Sequence, residues 1–107
     1  MITINGETWY VQEVPYGHPA LYRSDGSQTI GSIDDVIKTI FICETLDDWK
    51  YRKVLCHELV HAAMFSYDVN LSLEQEELIA DIISEYGTEI IDATNTLFCK
   101  LRGKHYC

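Results

Sequence analysis

The spacing of apolar positions changes period near residue 44 and divides the chain into a strand-like half and a helix-like half. Up to that point the apolar residues come in short runs broken by turn dipeptides. Ile2-Thr3-Ile4 and Thr8-Trp9-Tyr10-Val11 flank Asn5-Gly6, a pair that accepts positive φ and so predicts a tight hairpin. Pro15-Tyr16-Gly17-His18-Pro19 interrupts the pattern, residues 20–23 read as a short strand, and Asp25-Gly26 reads as a turn. Residues 29–33 and 38–43 read as two more strands joined through Asp34-Asp35. Ile40-Phe41-Ile42 is apolar throughout, as a buried strand is.

After this the period lengthens to that of a helix. Thr45 with Asp48 reads as a capping box, and Val54, Leu55, Leu59, Ala62 and Ala63 form the core-facing stripe of a helix over residues 47–65. Ser72 with Gln75 makes a second capping box. From there a helix over residues 73–98 carries Leu78, Ile79, Ile82, Ile83, Tyr86, Ile90, Ile91, Leu97 and Phe98 at helical spacing. Gly87 is the point at which that helix kinks or divides. Residues 99–107, with Cys99, His105 and Cys107, read as a frayed tail. The expected fold class is α+β in a single domain over residues 1–107: a small, mostly antiparallel N-terminal sheet over residues 1–43, packed by the first helix and the long C-terminal one.

Charge narrows the list of partners. Eight Lys plus Arg stand against seventeen Asp plus Glu, a formal charge of −9, so no basic surface is available to displace counterions from nucleic acid or an anionic membrane. A protein or peptide is the expected partner. The four cysteines show neither CxxC nor a disulfide framework, the start at Met1-Ile2-Thr3 has no leader pattern, and no apolar run approaches a membrane span. A cytoplasmic chain with reduced thiols is the expectation. Nothing in the sequence fixes an oligomeric state.

The candidate chemistry sits on the first helix, in His57-Glu58-Leu59-Val60-His61. Two histidines four apart stand one turn above each other, so both imidazoles can grip one zinc ion while Glu58 reaches a water beside it. A chance HExxH in a chain of this length has a probability on the order of 1%, so context has to decide. The second helix supplies it. Catalytic zinc needs a third protein ligand, and Glu77 and Asp81, four apart, project from one helical face. Glu77 is the candidate ligand, with Asp81 accepting a hydrogen bond from the far nitrogen of His57 or His61. Glu76 is its nearest rival, and Asp81 itself ligates if the helix is rotated.

HExxH followed by Glu77-Leu78-Ile79-Ala80-Asp81 on a second helix resembles the gluzincin pattern. A short chain in which a strand such as residues 38–43 leads into the motif helix resembles, more narrowly, the small ImmA/IrrE-like zinc metallopeptidases of phages and mobile elements. The resemblance covers roughly residues 28–98 and implies a minimal zincin-like domain that hydrolyses a protein substrate. It implies His57, His61 and Glu77 as ligands of Zn2+, Glu58 as general base and Asp81 as the acid behind a ligand. For the residue that stabilises the oxyanion, Tyr67, Tyr86 and His18 are candidates without a spacing argument. Zinc affinity is expected to fall at acid pH, because the imidazoles must be neutral to bind. The alternative function is a catalytically silent, zinc-containing binding module of the same fold; intact Glu58 favours the enzyme. A DNA-linked protease of the SprT-like kind is disfavoured by the acidic charge and the lack of a CxxC pair.

Overall fold

A computed structural model describes residues 1–103; residues 104–107, and with them the expected tail's His105 and Cys107, lie outside the described residues. The architecture is α+β. Strands β1 (Ile2–Ile4), β2 (Glu7–Val14), β3 (Gly31–Asp34) and β4 (Thr39–Cys43) precede helices α1 (Asp48–Ser66) and α2 (Leu73–Arg102). The sheet order is β1-β2-β4-β3. β1 and β2 pair antiparallel, as do β3 and β4, whereas β2 and β4 run parallel. β3 therefore forms a sheet edge.

The turns follow their residues. Asn5 and Gly6 both take positive φ, 48° and 78°, and close the β1–β2 hairpin. Asp34 accepts from the amides of Val36 and Ile37 and so shapes the β3–β4 turn. Residues 20–23 do not form the expected strand. Pro19 instead opens a 3-10 turn, Pro19–Leu21, whose Ala20 amide donates to His18 Nδ1 at 3.0 Å. The only strand-like pairing left there is a bridge between Tyr22 and Gln28.

α1 packs across the sheet, with Ala62 fully buried against Trp9, Ile40 and Ile42, and with Val54, Leu55 and Leu59 around them. Each fully buried isoleucine contributes about 1.5–3 kcal/mol. The helix starts two residues later than the expected Thr45 box: Asp47 is the cap, accepting from the Lys50 amide at 2.9 Å, while the Thr45 hydroxyl meets Cys43 Sγ. Its far end is tied to the sheet by Trp9 Nε1–H, which donates to Ser66 Oγ at 2.7 Å, and by Asn5 Nδ2–H, which donates to the Ser66 carbonyl.

α2 packs mainly on α1, so the layers run sheet, α1, α2. Both bonds of the Ser72–Gln75 capping box form. Gly87 does not divide the helix, which runs unbroken to Arg102, past the expected limit at 98, and ends on Gly103 in the left-handed region with φ 65°. Glu74 and Glu76 in its first turn and Lys100 and Arg102 in its last complement the helix dipole. Among the described residues no helix is long and apolar enough to cross a membrane.

Candidate metal centre

The α1–α2 contact brings the motif residues together. His57 and His61 lie one turn apart on α1, and their Nε2 atoms approach to 3.2 Å. Glu77 of α2 faces both: Oε1 is 2.7 Å from His61 Nε2, and Oε2 is 3.2 Å from His57 Nε2. One ligand atom from each of these three residues falls within 4.8 Å of the others, a group that can hold a metal ion.

The opposite ring nitrogens are also engaged. His57 Nδ1 is 3.1 Å from Asp81 Oδ1, and His61 Nδ1 is 2.6 Å from Glu76 Oε1. An ionised carboxylate only accepts, so each Nδ1 can donate to the carboxylate behind it, and this leaves each Nε2 as the nitrogen that can turn to a metal. The two Nε2 atoms and the Glu77 carboxylate converge on one spot. A cation answers that arrangement, and the two-nitrogen, one-carboxylate donor set is one that zinc accepts.

The expected Glu77 is the carboxylate that joins His57 and His61 in the group that could hold an ion, and Asp81 lies against Nδ1 of His57. Glu76, expected only as a rival ligand, sits behind His61. Consecutive residues of a helix point about 100° apart, so Glu76 reaches the outer side of His61 while Glu77 reaches the inner side.

Glu58 is buried, 7% exposed, on the same helix. Burial pushes its carboxyl above the ordinary carboxylate range, opposed chiefly by the charges of His57 and His61. Its cover comes from β3. A Cβ added at Gly31 would collide with Val54 Cγ1 and lie 3.5 Å from Glu58 Cγ and Oε1, so only glycine lets this edge strand approach α1 so closely.

Two open clefts of about 340 and 460 Å³ flank the cluster, and His57, Glu58, Glu77 and Arg23 line both. The smaller adds Lys50 and Lys53, and Lys53 pairs with Glu85. The larger adds Ile33, Phe65 and Leu73. Arg23 was invisible to sequence reasoning, because it lies on a loop, in no motif, far from the histidines in the chain. Among the described residues no carboxylate forms an ion pair with it. None of the three oxyanion candidates lines either cleft: His18 caps the 3-10 turn, Tyr67 caps the end of α1, and Tyr86 lies farther along α2.

No protein-family model matches the chain, and neither a curated protein nor a solved structure does.

Proposed function

We propose that this chain is a zinc-dependent peptidase of gluzincin type, with His57, His61 and Glu77 as the zinc ligands. The observation that carries the reading is the convergence of two imidazole nitrogens and a carboxylate beside a buried Glu58. Zinc in such a site supplies a Lewis acid that makes water nucleophilic near neutral pH and polarises a carbonyl. The chain's own groups do the rest.

Glu58 takes a proton from the attacking water and returns it to the leaving amine. Asp81 and Glu76 fix the ring orientation and tautomer of the two histidines. Arg23, open to both clefts, holds the substrate carbonyl oxygen as negative charge develops on it. An extended peptide adds along β3, the sheet edge next to Glu58. Ile33, Phe65 and Leu73 favour an apolar side chain on one side of the cleaved bond. A small, acidic chain of this kind suits one particular protein substrate better than nucleic acid or membrane; Cys99 is disulfide-bonded, against the expectation of reduced thiols throughout.

The test is hydrolysis of a fluorogenic peptide library by zinc-loaded protein, with Glu58→Gln as control. The reading expects cleavage by wild type and its loss in a Glu58→Gln protein that still binds zinc. A wild type that binds zinc and cleaves none of the library would leave the silent binding module as the better reading.

A further inference from the structure

The metal centre divides one groove into two halves of different character. From the smaller cleft to the larger, the lining passes from Gly31 to Ile33 along the edge strand, from Lys50 to Phe65 along α1 and from Ser84 back to Leu73 along α2. Three separate elements thus cross from one cleft to the other in a consistent order, and His57, Glu58 and Glu77 line both. An extended peptide lying along β3 passes these three residues and has half of the groove on each side of its cleaved bond.

The half with Ile33, Phe65 and Leu73 suits an apolar side chain. The other half gathers cations. Arg23, Lys50 and Lys53, three of the chain's eight Lys plus Arg, line that single cleft in a protein whose formal charge is −9. Glu58, Glu77 and Asp81 line it too, but Glu77 and Asp81 face the imidazoles and Glu58 is buried beside them. These acids belong to the metal centre and leave the lysines to another partner. Lys53 pairs with Glu85, yet both side chains are partly exposed, which makes the pair weak and lets the ammonium group change partners. Among the described residues Lys50 has no carboxylate partner.

Spacing along α1 sets the reach. Lys50, Lys53 and His57 recur at steps of three and four, so they stand in one row on the helix, with Lys53 about 6 Å and Lys50 about 10 Å along the axis from His57. An extended peptide advances about 3.3 Å per residue, so the two ammonium groups meet side chains roughly two to three residues from the cleaved bond. Acids elsewhere on the surface are screened beyond about 8 Å at physiological salt and do not cancel the lysines at this range.

We propose that the half of the groove lined by Lys50 and Lys53 is a subsite for an acidic side chain of the substrate, so that the cleaved bond lies between an acidic position on one side and an apolar one on the other. The inference deepens the peptidase reading and rests on it.

Quenched fluorogenic peptides test it, with an apolar residue on one side of the bond and Glu, Gln or Lys about two to three residues away on the other, in both directions and with free or amidated C-termini. Zinc-loaded wild type should cleave the Glu peptides with kcat/KM about tenfold above the Gln peptides, and the Lys peptides more slowly still. The preference should shrink in high salt and fall to near parity in the Lys50→Gln, Lys53→Gln double variant, with zinc affinity retained. Equal cleavage of Glu and Gln peptides by wild type, or a preference that survives in the double variant, overturns the proposal. Selection that follows the free C-terminus in place of the side chain assigns the lysines to the end of the substrate chain and overturns it as well. If no peptide is cleaved the peptidase reading fails, and fluorescence anisotropy of the same peptides on zinc-loaded Glu58→Gln protein then tests the subsite by itself. Binding of the Glu peptides about tenfold tighter than the Gln peptides supports it, and equal binding overturns it.

Discussion

His61 Nδ1 lies 2.6 Å from a Glu76 carboxylate oxygen, on the far side of the ring from the Nε2 that faces Glu77. The bond fixes which nitrogen of His61 can bind a metal, and the Asp81 contact does the same for His57 at 3.1 Å. The two supports are unequal. Glu76 has a side chain only 16% exposed, whereas Asp81 is 68% exposed and water can take its place. Glu76→Gln is therefore expected to lower zinc affinity about 10- to 100-fold, and Asp81→Asn by less. Chelator competition measures both, and equal losses would show that burial does not set the strength of the support.

Arg23→Ala should leave zinc affinity unchanged and lower kcat/KM by roughly 10²-fold, the usual loss when one group that stabilises the developing oxyanion is removed. Arg23→Lys should recover part of it, since the charge is kept and the planar fork is lost. Steady-state kinetics on a cleaved peptide decides this. Unchanged turnover in Arg23→Ala would assign the oxyanion role elsewhere.

How much of this was legible in the sequence depends on which interactions are local. The i,i+4 spacing of His57 and His61 places them on one face of any helix, and Asn5-Gly6 dictates a hairpin whatever follows it. The choice among Glu76, Glu77 and Asp81 is not local, because it depends on the rotation of α2 about its own axis, which only packing against α1 sets. Residues 20–23 were misread because their apolar pattern was weighed above Pro19, which opens a 3-10 turn. The apolar stripe of α2 was legible as a stripe, but periodicity does not say whether the same chain covers it.

Gly31→Ala should destabilise the fold by about 1–3 kcal/mol, as overpacking does, since the new methyl group meets Val54 while backbone pairing holds β3 to β4. Urea unfolding at equilibrium gives the figure. Wild-type stability in this variant would mean that β3 moves away from α1 without cost.

Glu58 gives a pH signature in the metal-free protein. Its carboxyl is raised, chiefly by burial, so the folded state keeps the proton to higher pH than the unfolded state does. Below the ordinary glutamate value of 4.5 both states are protonated and no penalty exists. As pH rises through the raised value, the folded state must bury a charge, and stability is lost. Glu58→Gln should therefore stabilise the metal-free protein at neutral pH and lose that advantage below about pH 4. Melting temperatures across the range check the sign, and a variant less stable than wild type at neutral pH would contradict it.

The central claim, a zinc ion held by His57, His61 and Glu77, is tested most directly by zinc stoichiometry and affinity on wild type, Glu77→Ala and Glu58→Gln. One zinc per chain, kept in Glu58→Gln and largely lost in Glu77→Ala, is the predicted result. No zinc in wild type, or equal affinity in all three proteins, would contradict the account.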